Sequence, residues 1–95
     1  MITFAVRMRF ASEDREKVQL AVRHLAEASR REPGCLTYVP AEMADDPNVL
    51  LIFEQYSDDA SLDAHRNSAH FREFAIGGLY QWMKERSVEN MNALA

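Results

Sequence analysis

The chain has 95 residues, of which 15 are acidic and 11 basic, and both signs are interspersed along its length. This balance argues against nucleic acid or an anionic membrane surface as a partner. A chain of this length forms one domain, taken as residues 1–95, and buries only about 60 to 65% of the surface that its unfolded form exposes. A second subunit would be a natural source of further burial.

The single cysteine, Cys35, excludes an intrachain disulfide. Residues 1–10 alternate in hydrophobicity, whereas a secretory signal would be continuously apolar. No apolar run approaches the roughly 20 residues that a membrane span requires. We therefore expect a cytoplasmic protein that does not enter membranes.

Hydrophobic periodicity predicts a strand, a helix and a strand in the first half. Residues 3–10 alternate, which is typical of a strand with one buried face. A helix is expected over residues 13–31, with Ser12 as its N-cap. A Pro-Gly pair ends it, and residues 35–42 return to strand.

The second half is predicted as a strand, two helices and a last strand. Residues 49–56 are the most apolar run and should be central in the sheet. Helices are expected over residues 58–66 and 70–85, the second interrupted by Gly77-Gly78. Residues 87–93 form a weakly patterned strand.

The element order β-α-β-β-α-α-β is a split β-α-β arrangement. Right-handed crossovers make it a four-stranded antiparallel sheet, in the order 4-1-3-2, with the helices on one side. The other face still carries apolar side chains that no remaining element covers. We therefore predict an α+β, ferredoxin-like sandwich that forms a homodimer, sheet against sheet.

Three short motifs carry a resemblance to a known family. They are Glu32-Pro33-Gly34-Cys35, Glu54-Gln55-Tyr56, and the run from Ala64-His65 to Ser68-Ala69-His70-Phe71. Their order and spacing resemble the antibiotic biosynthesis monooxygenase family, small proteins built on a dimeric α+β barrel. The resemblance implies a cofactor-independent monooxygenase that oxidises an electron-rich aromatic, such as a quinol, naphthol or polyphenol, with O₂.

His65 is the candidate base. It lies three positions after Leu62 on a short helix and should face the space between helices and sheet. With an ordinary pKa of about 6.5, an imidazole there could accept a proton from a phenol or enol. The alternative is a packing role, in which the ring bonds a backbone carbonyl.

Glu54 is the second catalytic candidate. It shares one face of the third strand with Ile52 and Tyr56, where a carboxylate is costly to bury without a partner. An ion pair with Arg7, Arg9 or Arg66 would satisfy it. The alternative is that Glu54 orients His65.

The candidates for contact with substrate carry aromatic, imidazole or amide side chains. They are Tyr38, Tyr56, His70, Phe71, Trp82, Asn90 and Asn92. Aromatic rings would line a pocket for a planar ligand, and amides could stabilise an enolate or peroxide oxygen. The aromatics could instead be core or interface, His70 could cap or pack its helix, and the asparagines could face water.

No Cys/His cluster, phosphate loop or dinucleotide fingerprint occurs in the sequence. We therefore expect no metal and no bound cofactor, and Cys35 is more typical of a buried apolar residue than of a nucleophile. The haem-degrading branch of the superfamily is disfavoured, because it uses an asparagine in the first strand and residues 3–10 contain none.

Two other functions remain open. One is an isomerase of a small hydroxyketone or phosphohydroxyketone in signal-molecule breakdown, since a relative of this fold has a similar Ala-x-His run. His65 and Glu54 would then move a proton between carbons without consuming oxygen. The other is a non-enzymatic, stress-related dimer that binds a small ligand.

Overall fold

A computed structural model describes residues 1–95. The strands are β1 (Ile2–Arg9), β2 (Cys35–Met43), β3 (Asp46–Tyr56) and β4 (Glu85–Met91). The helices are α1 (Arg15–Ser29), α2 (Asp59–Arg66) and α3, which is π-helical over Phe71–Leu79 and α-helical over Tyr80–Trp82. None of these helices is both long and apolar enough to cross a lipid bilayer.

The four strands form one antiparallel sheet in the order β2-β3-β1-β4. This order confirms the predicted topology, and the fold is α+β and ferredoxin-like. The two central strands pair without interruption from Ile2 opposite Tyr56 to Arg9 opposite Val49. Their continuous pairing fixes which side chains share a face, because successive residues of a strand point to opposite sides.

The core lies between the sheet and the helices. β1 contributes Phe4, Val6 and Met8, while β3 contributes Leu50 and Ile52. α1 covers them with the apolar stripe that the sequence pattern predicts, Val18, Val22 and Leu25. Burial of each large aliphatic side chain contributes about 1.5 to 3 kcal/mol, so this layer fixes the sheet face that the site occupies.

The opposite face of the sheet carries an apolar row that no helix of the chain covers. Val39, Phe53 and Ala5 lie side by side on neighbouring strands. Val39 is 48% exposed, and Met91 on β4 is 39% exposed. The prediction of an uncovered apolar face therefore holds for the single chain.

The first helix begins differently from the prediction. Ser12 is not its N-cap: residues Ser12–Asp14 form a 3₁₀ turn, and the α-helix starts at Arg15 without a side-chain cap. The helix ends at Ser29, two residues before the predicted end.

The last strand, β4, begins at Glu85, two residues earlier than expected, because α3 stops at Trp82.

The third helix is not broken at Gly77-Gly78 but widened. Its π-helical turns carry i→i+5 hydrogen bonds, a geometry that occurs often at functional sites. Gly78 lies against the ring of Trp82, which a Cβ at this position would reach at 3.5 Å. The glycine pair therefore sits within a continuous helix that packs on α1.

Candidate functional site

The base candidate is placed by α2. This helix starts with Asp58, whose carboxylate accepts a hydrogen bond from the backbone N–H of Ser61 at 2.8 Å. Leu62 and His65 then fall on the buried side of the helix, as their three-residue spacing predicts. The side chain of His65 is only 3% exposed, and it lies between α2 and the sheet.

Glu32, in the loop between α1 and β2, faces the same imidazole. Its Oε2 lies 2.8 Å from Nδ1 of His65 and also contacts Nε2 of His70. An ionised carboxylate only accepts hydrogen bonds, so both nitrogens that face it carry protons. Neutral His65 is then protonated at Nδ1 and has a free Nε2.

Nε2 of His65 faces Glu54 from β3. The distance to Oε1 is 3.7 Å, which is too long for a hydrogen bond. That same oxygen accepts a hydrogen bond from the hydroxyl of Tyr56 at 2.6 Å. The two candidate catalytic groups are therefore close neighbours that remain free to bond a third molecule.

The prediction that Glu54 forms an ion pair with an arginine was wrong. No arginine lies within ion-pair distance of its carboxylate, and Arg9 is bonded to Asp46 at 2.9 Å instead. Arg7 and Arg9 lie on the opposite face of the sheet, as their pairing with β3 requires. The Tyr56 hydroxyl takes the place of the predicted ion pair.

Burial sets the protonation of the pair. It raises the pKa of Glu54 to about 7, against the hydrogen bond from Tyr56 and the positive charge of Arg66. It lowers the pKa of His65 below its ordinary value, against the hydrogen bond and charge of Glu32. At pH 7 the imidazole is neutral and can accept a proton, while the carboxyl is near its midpoint.

A small cavity opens beside these groups. It measures about 20 Å³, close to the space of one water molecule. Its walls are Glu54, His65 and nine apolar or aromatic residues, among them Tyr38, Phe71 and Tyr80. The edge of the Phe71 ring meets the imidazole, with 5.2 Å between ring centroids. Apart from the His–Glu pair and the hydroxyls of the two tyrosines, the lining side chains are therefore apolar.

Five of the nine predicted site residues surround this cavity or the groups that face it. They are His65, Glu54, Tyr38, Tyr56 and Phe71. Burial raises the pKa of the Tyr38 hydroxyl well above its ordinary value, so this phenol stays protonated. His70 lies one contact further away, on Glu32, and does not line the cavity.

Trp82, Asn90 and Asn92 lie away from the cavity. The ammonium of Lys17 is 4.6 Å from the ring centre of Trp82, so this ring covers the start of α1. Asn90 is exposed on β4, and Asn92 follows the end of that strand. All seven residues of β4, an edge strand of the sheet, are exposed.

Sequence reasoning missed Glu32 and Tyr80. Glu32 belongs to the Glu-Pro-Gly-Cys motif, but its side chain bonds residues 33 and 38 positions later, which no local pattern indicates. Tyr80 reaches the cavity because the π-helical turns before it shift the positions that face inward. The family motif that contains Glu32 was the one feature of the sequence that could have identified it as a site residue.

Three of these residues could chemically hold a metal ion. Glu32, His65 and His70 each offer one ligand atom, and these atoms lie within 4.8 Å of one another. Two imidazoles and a carboxylate suit zinc or non-haem iron. No metal-ligand spacing was visible in the sequence, because the three residues come from a loop, a helix end and the next helix start.

The fold and site define a ferredoxin-like α+β protein with a buried His–Glu pair between its sheet and helices. The model of the family described as antibiotic biosynthesis monooxygenase matches residues 1–75, and the chain belongs to this family. The family resemblance expected from the three sequence motifs is thereby confirmed.

The chain is also similar to individual proteins and solved structures. YcnE of Bacillus subtilis is 28% identical over 78 residues, which cover 82% of each chain. The protein sll1783 of Synechocystis is 42% identical over 48 residues, half of this chain and a third of its own length. The structure of PA3566 from Pseudomonas aeruginosa has a TM-score of 0.89 at 29% identity, covering 99% of this chain and 94% of that one. A solved antibiotic biosynthesis monooxygenase has a TM-score of 0.91 at 26% identity over the whole of both chains.

Proposed function

We propose that the protein is a cofactor-independent monooxygenase that oxidises a small aromatic quinol or polyphenol with O₂. The observation that carries this proposal is the free Nε2 of buried His65, which faces Glu54 beside an apolar, aromatic-lined cavity. Membership in the family supports the reaction class. The name of the Bacillus relative, a candidate monooxygenase, points the same way.

The reaction needs a proton acceptor in a dry site. Nε2 of His65 takes a proton from the substrate, and the resulting anion transfers an electron to O₂. A carbon–oxygen bond then forms and gives a peroxide. When its O–O bond breaks, one oxygen stays on the substrate, and the other leaves as water with two substrate hydrogens, one of them returned by the imidazolium.

The neighbouring groups have defined tasks in this scheme. Ionised Glu54 stabilises the imidazolium that forms on proton transfer, and Tyr56 holds Glu54 in place. Tyr38, Phe71 and Tyr80 contact the aromatic ring of the substrate. A cavity of about 20 Å³ is too small for such a ring, so binding requires a wall to move outward.

Oxygen uptake tests the proposal. The wild type, His65→Ala and the control His24→Ala are compared on a panel of quinols and polyphenols. His24 is an exposed histidine of α1 that stacks on Phe74, outside the site. His65→Ala should lower turnover by about 10² to 10⁴-fold, the usual contribution of a positioned base, and His24→Ala should not. Undiminished turnover in His65→Ala would rule out His65 as the base.

An isomerase is the second candidate. It is favoured by the nearness of Glu54, with a pKa of about 7, to neutral His65, since two such groups can give and take a proton at adjacent carbons. Turnover of a hydroxyketone without oxygen uptake would select this function. Ligand binding that survives His65→Ala, with no turnover of either class, would select a non-enzymatic binding protein.

We also propose a homodimer formed through the open face of the sheet. The apolar row on this face supports it, since Val39 and Met91 are exposed and a monomer rarely leaves a large apolar surface bare. Sedimentation equilibrium at micromolar concentration should give twice the chain mass of 10.9 kDa. A mass near that of one chain would contradict the dimer.

A cytoplasmic location stays a prediction.

A further inference from the structure

The loop that carries Glu32 holds this residue firmly behind the base. The backbone N–H of Glu32 donates to the carbonyl of Ser29 at 3.0 Å, and its own carbonyl accepts from the N–H of Cys35 at 3.1 Å. The next residue, Pro33, has a fixed φ. The main chain on both sides of Glu32 is therefore fixed by bonds that do not involve the site.

The side chain of Glu32 is bonded unevenly. Oε2 accepts hydrogen bonds from both His65 and His70, while Oε1 is buried and has no hydrogen-bond partner in the protein. Leaving a buried polar oxygen unbonded destabilises a folded protein. Both side-chain hydrogen bonds of Glu32 go to imidazoles, and none goes to the loop that carries it, so the arrangement indicates a task directed at the two rings.

We propose that Glu32 is a positioning residue that holds His65 in the Nδ1–H tautomer and turns Nε2 toward Glu54 and the cavity. Its charge also stabilises the imidazolium that forms on His65. His70 fixes the Glu32 carboxylate by donating a hydrogen bond to it. The effect on the reaction rests on the proposed function, whereas the tautomer of His65 does not. The proton balance is unchanged, because Nδ1–H stays on His65 throughout and the substrate proton enters and leaves at Nε2.

The exposures of the three side chains agree with these roles. His65 is 3% exposed, Glu32 14% and His70 20%. The carboxylate thus lies deep enough for its charge to act strongly on the imidazole, and His70 closes the solvent side. The other titratable groups that face His65 are Glu54 and Tyr56 from β3 and Tyr38 from β2, and Arg66 follows it on α2.

Long-range ¹H–¹⁵N NMR of the imidazoles tests the tautomer without any substrate. Above the pKa of His65, the wild type should show a protonated Nδ1 and an unprotonated Nε2. Glu32→Gln should yield a mixture of tautomers, because an amide can donate as well as accept. A wild-type His65 protonated at Nε2 would overturn the proposal, and this observation needs no variant to fold.

Steady-state kinetics test the effect on the reaction. Glu32→Gln should lower kcat about 10- to 100-fold, the loss expected for one charge-assisted hydrogen bond, with KM changed less than about threefold. The control Glu27→Gln, at an exposed position of α1, should leave both unchanged. His70→Gln, whose amide can still donate to Glu32, should retain more kcat than His70→Ala.

The two experiments separate the two proposals. The expected tautomer with no oxygenation of any quinol would discard the proposed function and keep Glu32 as the residue that orients His65. Full kcat in a folded Glu32→Gln, or a loss confined to KM, would discard the positioning role even if the oxygenase activity is found. Melting followed by circular dichroism establishes that each variant is folded.

Discussion

The layer between the sheet and the helices has a glutamate at each end, and the two environments shift its carboxyl pKa in opposite directions. At one end Glu42 bonds Arg15 at 3.0 and 3.2 Å and Gln19 at 2.9 Å, and these side chains face solvent. The bond from Arg15 lowers the pKa of Glu42. At the other end Glu54 is buried without an arginine, and its pKa rises to about 7.

This difference shows what each end is suited for. A paired, exposed carboxylate stays ionised at every ordinary pH and contributes little to stability. A buried carboxyl that titrates near neutrality beside a neutral histidine can exchange protons with a bound molecule. Residue type is the same at both ends, so the environment alone assigns the chemistry to the His65 end.

The largest expected effect is on turnover. Glu54→Gln should reduce oxygen uptake with a quinol about 10² to 10³-fold, because ionised Glu54 stabilises the imidazolium, while Glu42→Gln should stay within about twofold of wild type. In the wild type, activity should rise with pH through about 7 as Glu54 ionises. The activity of Glu54→Gln should no longer rise near pH 7. It should still rise with pH below 6.5, where His65 loses its proton and becomes neutral. A rise near pH 7 that persists in Glu54→Gln would contradict the assignment.

The same substitution should have the opposite effect on stability. The folded pKa of Glu54 is raised from 4.5 to about 7, so the folded state binds more protons between these values and its stability falls as pH rises through them. The full penalty above pH 7 is on the order of 3 kcal/mol. Urea unfolding of Glu54→Gln should show a gain that approaches this value at pH 8 and vanishes near pH 4.5. An equal difference at both pH values would show that Glu54 is not buried as a titrating group.

The next effect concerns the contact that sets α2 in place. A Cβ on Gly34 would lie 2.0 Å from Oγ and 2.3 Å from Cβ of Ser61, one turn before His65. Gly34→Ala should therefore destabilise the fold by about 1 to 3 kcal/mol, as overpacking does. The double variant Gly34→Ala with Ser61→Gly removes the clash and should recover most of the loss, as followed by thermal unfolding. No recovery would place the cause elsewhere.

The smallest effect is expected from chelation. Because the proposed chemistry needs only a base, O₂ and the substrate, oxygen uptake after treatment with EDTA should match that of untreated protein. Elemental analysis of the purified protein is the companion measurement. Activity lost to EDTA and restored by a divalent cation would instead assign Glu32, His65 and His70 as metal ligands.

The fold was largely predictable because it follows from periodicity. The alternation of Phe4, Val6 and Met8 fixes the inner face of β1, and the apolar run 49–56 identifies the central strand that pairs with it. The 3₁₀ turn at Ser12–Asp14 was not predictable, since acidic residues after a serine are equally typical of an α-helix start.

The site was predictable only where a regular element carries it. Helical spacing placed His65 on the inner side of α2, and strand alternation placed Glu54 on one face with Ile52 and Tyr56, which the structure shows to be the helix side. Asn90 pairs with Phe4 and so shares the inner face, but the helices end before β4 and leave it in solvent. Glu32 lies in a loop, where no period relates it to the histidines that it bonds.

The π-helical part of α3 bears on which molecules the protein can admit. Four of the residues around the cavity, Phe71, Ala75, Leu79 and Tyr80, come from this helix and its continuation. Exchanging i→i+5 for i→i+4 hydrogen bonds would turn Phe71 and Tyr80 relative to each other while keeping the backbone bonded. The size limit for a guest molecule would then be encoded in the backbone hydrogen-bond register of one helix, so substitutions that shift that register would alter substrate range without touching a lining side chain.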